Sequence, residues 1–266
     1  MTLERKYKRG LGRVYVDSET GDEYPSVTTI INATLAKGPF LAKWQDKIRE
    51  ESFVKRFEAF CEHLPENVRE YVDRPTVYAI YKQSLGAPNA YRDAKGDTGT
   101  YIHSMIETYL QPVNKVKPLS YYLENDPRAE KVLTNFKTWM AKTGLTPVKV
   151  EHYLCSPTHG YAGTVDLVAK QKIKGGSKQL VLVDFKTGSM QKDQLLQLAA
   201  YALAYEELYF VRPAVAYFLK IDVDAGSVGE QMHMYYDDLS YLFEHYIRTL
   251  ELWKWRVDSK NEWRSW

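Results

Sequence analysis

The chain has 266 residues, a formal charge of +2, 44% hydrophobic residues and 26% charged ones, enough for one large core or two small ones. Near-neutral charge argues neither for nor against a nucleic-acid partner, and two cysteines, Cys61 and Cys155, exclude a disulfide framework and point to a reducing, cytoplasmic setting. The charged N-terminus lacks the apolar core of a secretory signal, and no apolar run approaches the ~20 residues a membrane span needs.

In chain order, Arg5-Lys6-Tyr7-Lys8-Arg9 is a basic run, and Val14-Tyr15-Val16 reads as a strand before a polar turn. Tyr24-Pro25-Ser26-Val27-Thr28-Thr29-Ile30-Ile31 follows, where Ser26 or Thr28 caps a helix carrying Ile30 and Ile31. A second helix starts after Pro39, with Leu41, Trp44 and Ile48 at helical spacing. Residues 53–85 are mostly helical, interrupted by Pro65 and Pro75, and read as an insertion. Ala87-Pro88-Asn89 breaks the pattern, and Gly and Thr residues within 96–100 open a further helix with an inner face of Ile102, Ile106, Tyr109 and Leu110. His103 and Glu107, four apart, project from one side of it. A helix over residues 128–143 ends at Gly144.

Strands are expected over residues 148–154, around Asp166 in Gly163-Thr164-Val165-Asp166-Leu167-Val168, and over Leu180-Val181-Leu182-Val183 leading into Asp184-Phe185-Lys186. A hairpin joining the last two brings Asp166 and Asp184 together, with Lys186 beside them. Two such carboxylates need cationic charge to offset their repulsion, and a divalent metal supplies more of it than one lysine. The cluster Lys170, Lys172, Lys174 and Lys178 is expected beside the acids, where it suits a phosphate backbone. Residues 193–208 read as a helix, 213–221 and 231–235 as strands, and 237–256 as a final helix. Four of the six tryptophans, Trp253, Trp255, Trp263 and Trp266, crowd the end of the chain, where they serve either packing or base stacking. This order implies an α+β fold, a mixed sheet with helices on its faces, in a single domain over residues 1–266.

Gly99-Thr100-Tyr101-Ile102-His103, Gly163-Thr164-Val165-Asp166, Asp184-Phe185-Lys186-Thr187-Gly188 and Gln197-Leu198-Ala199-Ala200-Tyr201, in this order, resemble the motifs of the PD-(D/E)XK nuclease superfamily. The RecB-like exonuclease branch fits best, and Tyr24-Pro25-Ser26-Val27-Thr28-Thr29-Ile30 resembles an N-terminal stretch of its virus-encoded members. The resemblance implies a restriction-endonuclease-like core with an N-terminal helical elaboration. It implies Mg²⁺ or Mn²⁺ held by His103, Asp166, Asp184 and the Phe185 carbonyl, hard oxygen donors with one imidazole. Asp166, Asp184, Lys186 and Gln197 would be catalytic, with Lys186 orienting the attacking water and stabilising charge on the phosphorus centre. Glu107, Glu151 and Tyr201 are candidates for supporting the ligands from behind. Ser26, Thr100, Thr187, Lys170 and Lys172 are candidates for DNA contacts.

Many relatives carry an iron–sulfur cluster on four cysteines, which two cysteines cannot supply. No phosphate-binding Gly-x-x-x-x-Gly-Lys-Ser/Thr loop occurs, so no nucleotide cofactor is expected and any helicase or recombination motor would be a separate partner. What remains resembles compact exonucleases of phages and of mitochondrial genome maintenance, acting on single-stranded DNA ends. The cytoplasm, including a phage-infected host's, is the expected location ahead of the mitochondrial matrix. A structure-specific or nicking endonuclease, an RNA-directed nuclease and a non-catalytic nucleic-acid-binding protein with a vestigial site are the rival readings.

Overall fold

The computed structural model describes residues 2–9, 11–35, 39–65, 72–112, 115 and 117–262. Trp263 and Trp266 lie outside them. Contacts divide the chain into two units, Met1–Ala36 with Tyr101–Trp266, and Lys37–Thr100.

The larger unit opens with strands β1 (Leu3–Lys8), β2 (Gly12–Asp17) and β3 (Glu23–Pro25), paired antiparallel in that order. The basic run is thus a strand, Arg5 pairing with Tyr15 and Lys6 with Val14. Its exposed, alternating charges conceal the period-2 pattern that would mark a half-buried strand. Helix α1 (Val27–Thr34) follows, and Ser26 caps it by accepting from the Thr29 N–H at 3.0 Å. Two contacts tie this corner to the main sheet. Tyr15 OH and Thr164 Oγ1 are 2.7 Å apart, and Ser26 bridges to Ala162.

The main sheet is built from β4 (Leu145–Ser156), β5 (Tyr161–Lys172), β6 (Lys178–Lys186), β7 (Val215–Asp222) and β8 (Ser227–Tyr235), in that spatial order. β6 and β7 are parallel and their other neighbours antiparallel, so the sheet is mixed as expected. The parallel step requires a crossover, and α7 (Leu195–Tyr209) provides it. On one face, α1, α7 and α8 (Tyr236–Glu262) cover Val168, Leu182, Ala216 and Phe218. On the other, the end of α4 (Ala87–Leu110), α5 (Leu119–Asn125) and α6 (Pro127–Thr143) cover Leu167, Val181, Val183 and Phe185. Phe136 meets Phe185 edge-on at 5.7 Å and Trp139 at 5.4 Å. Each buried ring contributes roughly 2–3 kcal/mol, which holds β6 in register on that face.

The smaller unit is helical. α2 (Pro39–Glu62) and α3 (Arg74–Ser84) precede α4, so the helical part is wider than the expected 53–85 insertion. Pro75 starts a helix instead of interrupting one, because Asp73 caps it by accepting from Thr76 N at 3.0 Å and proline suits the first turn. Likewise Pro88 lies in the first turn of α4, a helix that continues through Gly96 and Gly99. The helix bearing His103 therefore begins at Ala87, not at residues 96–100, and Thr100 is mid-helix, its hydroxyl donating to Gly96 O at 3.0 Å. The expected role for Thr100 at a helix N-terminus is corrected accordingly. Among the described residues, no helix is long and apolar enough to cross a membrane.

Candidate active site

The site forms where β5 and β6 part. Their ladder pairs Leu167 with Val183 and runs toward the turn, so Asp166 and Asp184 are the next residues beyond its end. There β6 stays paired with β7 alone, Asp184 beside Phe218 and Lys186 beside Lys220. The Phe185 N–H has lost its β5 partner and donates instead to Asp166 Oδ2 at 2.5 Å. An acid at position 166 thus replaces a backbone acceptor, which explains a carboxylate within an apolar strand. Period-2 alternation puts Asp184 and Lys186 on one face and Phe185 on the other, where its ring joins the core.

Helix α4 brings in His103, whose Nδ1 lies 3.6 Å from Asp166 Oδ1 and whose ring meets Phe185 edge-on at 5.7 Å. Strand β4 brings in Glu151. The flanking pairs Val150 with Leu167 and His152 with Val165 set Glu151 opposite Asp166. Glu151 has φ +48°, a left-handed conformation that is costly for a residue with a Cβ. Donor atoms of His103, Glu151 and Asp166 all lie within 4.8 Å of one another, the group among the described residues able to hold a metal ion. Glu107 lies one turn past His103 and pairs with Lys115.

From the opposite face, α7 supplies Gln197 and Tyr201. Lys186 Nζ donates to Gln197 Oε1 at 3.1 Å. Gln197 Nε2 donates to Asp184 Oδ1 at 2.9 Å and to Tyr201 OH at 3.0 Å. Lys186 Nζ also forms an ion pair with the buried Asp184 Oδ2 at 2.6 Å. Gly163 makes room for this arrangement: a Cβ there would meet Tyr201 Cε1 at 2.3 Å. The Gly-Thr-Val-Asp motif therefore has one job per residue. Gly163 admits the Tyr201 ring, Thr164 anchors Tyr15, Val165 fills the core and Asp166 faces the site.

Electrostatics mark the same residues. Burial opposes the charged imidazolium of His103, yet Asp166, Asp184 and Glu151 outweigh it and push its pKa up to about 9. Burial, reinforced by Asp166 and Glu107, pushes Glu151 up to about 8. Burial pushes Asp184 up to about 6 against the pull of Lys186. For Asp166 burial works upward, but His103, the Phe185 N–H and Lys186 hold it below the usual range. Glu151, whose ionised form burial and neighbouring acids oppose, stands with His103 and Asp166 in a donor set that fits a hard divalent cation. His103 and Asp166 belong to the three-donor group, and Glu151, expected to stand behind the ligands, belongs there too. Asp184 is instead engaged by Lys186 and Gln197.

The expected DNA contacts fare differently. Ser26 is 1% exposed and its hydroxyl is spent within the cap, so a buried cap replaces the expected phosphate contact. The lysine cluster is not beside the acids. Lys172 pairs with Lys178 at the turn end of the hairpin, six residues from Asp166, or about 20 Å along a strand. Lys170 pairs with Leu180 on the same stretch. Both side with the far end of the sheet because the ladder runs away from the acids. The carbonyls of Thr187 and Gly188, just past Lys186, accept from Lys220 Nζ, at 3.0 Å for Thr187.

The family model of the PD-(D/E)XK nuclease superfamily matches residues 65–262. No curated protein matches the chain significantly. Among solved structures, an alkaline exonuclease from Laribacter hongkongensis is similar over 51% of this chain and 69% of its own, at 14% identity and a TM-score of 0.34. The same exonuclease in complex with dAMP is similar over 61% of this chain and 89% of its own, at 12% identity and a TM-score of 0.35. A protein from Eubacterium rectale, provisionally described as an exonuclease, is similar over 57% of this chain and 66% of its own, at 10% identity and a TM-score of 0.36.

Proposed function

The chain belongs to the PD-(D/E)XK nuclease superfamily, and on that premise we propose that it is a Mg²⁺- or Mn²⁺-dependent deoxyribonuclease that digests single-stranded DNA from its ends. The observation that carries this reading is the meeting of two groups at the split between β5 and β6. One is the donor group His103, Glu151 and Asp166, and the other is the Asp184–Lys186–Gln197–Tyr201 chain.

The donor group would hold the metal, with Asp184 and the Phe185 carbonyl as further candidates; once bound, the cation contributes Lewis-acid charge against the anionic phosphate. Gln197 orients Lys186 through its carbonyl oxygen and Asp184 through its amide, so both functional ends keep fixed directions. Tyr201 fixes Gln197 in turn, and burial keeps its phenol protonated. The Lys186 ammonium, 18% exposed by its side chain, meets an incoming phosphate as a localised positive charge and orients the attacking water. The exclusion of bulk water around Asp166 and Asp184, 8% and 3% exposed, strengthens each of these interactions.

The end requirement and the single-strand preference rest on the motif resemblance to compact exonucleases. Substrates labelled at the 5′ or 3′ end, as single strand, duplex and circle, with Mg²⁺ or Mn²⁺, test them together. Stepwise loss of linear single strands with an untouched circle is the expected result. A circle degraded as fast as the linear form would mean an endonuclease on the same fold.

A further inference from the structure

Helix α3 has an outer face that looks like an inner one. Val77, Ile80 and Ser84 are turned inward, and Ile80 and Ser84 are buried. Yet Tyr78, Tyr81 and Leu85, at the i, i+3, i+7 spacing of a packing stripe, are 56%, 46% and 42% exposed. A solvent-facing stripe of this kind ordinarily carries charge.

The rings are also arranged. Tyr78 and Tyr81 lie 6.5 Å apart and tilted by only 30°. Tyr81 meets Phe53 of α2 at 6.4 Å, and Phe53 stacks on Phe57 at 5.9 Å and 18°. Four rings thus form a ladder across α2 and α3, and the two at the α3 end are the exposed ones. Cations border that end. Lys82 Nζ lies over the Tyr78 ring at 5.1 Å, and Arg56 reaches across from α2 to Gln83 at 3.2 Å. Flat aromatic faces beside point cations match a strand whose bases are unstacked and whose phosphates are anionic. Leu85 is the aliphatic member of the stripe, but its exposed rings are tyrosines, whose faces can stack on bases while their hydroxyls stay in water.

We propose that the α2–α3 surface, centred on Tyr78 and Tyr81 with Lys82 and Arg56 at its border, binds single-stranded DNA by base stacking. This rests on the nuclease reading and adds to it a place outside the active site where an unpaired strand is held. Duplex DNA, with its bases already stacked, gains nothing from the rings.

The test is fluorescence anisotropy of a labelled 20-nucleotide oligo-dT and of a matched duplex, with the full chain in EDTA so that no cleavage intervenes. Tyr78→Ala/Tyr81→Ala is expected to weaken oligo-dT binding at least about tenfold and leave duplex binding unchanged. Tyr78→Phe/Tyr81→Phe, which keeps the ring faces, retains wild-type affinity and controls for folding. Lys82→Ala lowers the slope of log affinity against log salt by about 0.7, one phosphate contact on a single strand. Unchanged oligo-dT binding by the alanine pair overturns the proposal, as does equal weakening for the duplex. A wild-type dimer that the alanine pair dissociates, seen by sedimentation without any change in DNA binding, would assign the stripe to self-association and overturn it too. The nuclease reading fails separately, if the wild type hydrolyses no DNA with Mg²⁺ or Mn²⁺, whatever the anisotropy gives.

Discussion

At the scale of single residues, Lys186 and Glu151 make opposite demands on their surroundings. Lys186 is held by Gln197 and Asp184, so under the proposed reading Lys186→Ala removes the charge that would meet the phosphate. Hydrolysis is expected to fall by about 10²- to 10³-fold, and the metal-free melting temperature to fall as well because buried Asp184 loses its cation, measured as initial rates beside a thermal scan. Glu151 is a half-buried acid in a left-handed conformation. Glu151→Gln should weaken metal binding by about tenfold or more while leaving the metal-free fold as stable or more so, read by titration calorimetry and metal-free melting. Asp166 and Asp184 of the β5–β6 hairpin are legible in the sequence because carboxylates at the ends of apolar strands are anomalous. Glu151 was only half legible. Its acid stood on a strand, but its place opposite Asp166 depends on strand register, which no local pattern displays.

At the scale of elements, the helix–sheet contact at Gly163 is the tightest constraint on the site. Gly163→Ala drives a methyl into the buried Tyr201 ring, and overpacking of this kind costs about 1–3 kcal/mol. The loss should shrink in Gly163→Ala combined with Tyr201→Leu, a non-additivity that denaturant melts of the four variants would reveal. Ser26→Ala, by contrast, removes an N-cap and should lower stability by about 1 kcal/mol without altering DNA affinity. The elements legible in the sequence are those with a continuous apolar run: the strands β5, β6 and β7, buried on both faces, and α7, whose first two turns are buried nearly all round. The less legible ones share a cause. β1 is an exposed charged strand, and α4 runs through Gly96, Thr98, Gly99 and Thr100, a stretch of poor helix formers. Pro75 and Pro88 looked like breaks because proline starts and stops helices with the same residue. The lysines of the hairpin were misplaced for a geometric reason, since sequence proximity to Asp166 becomes distance along an extended strand.

At the scale of the whole molecule, the charges at the site link proton binding to stability. His103, Glu151 and Asp184 all have raised folded pKa values, about 9, 8 and 6, against ordinary values of 6.5, 4.5 and 3.8. A raised pKa means that the folded state holds protons the unfolded chain has released, so stability declines as pH rises through each interval. The lowered pKa of Asp166 acts the other way, but only at pH below its ordinary 3.8. The metal-free protein should therefore melt at a lower temperature at pH 9 than at pH 5.5. Adding Mg²⁺ or Mn²⁺ should raise the melting temperature more at the higher pH, because the ligands must lose protons to bind. Scanning calorimetry across this range with and without metal checks both signs. An equal metal increment at the two pH values would mean that these groups are not the ligands.

The alternation along β6 has one more consequence. Asp184 and Lys186 both face Gln197 of α7 while Phe185, between them, is clamped by Phe136 and His103. Sliding this strand by a single residue would turn Asp184 and Lys186 away from Gln197 and put the Phe185 ring in their place, so one register serves both the packing of the ring and the pairing of the charges.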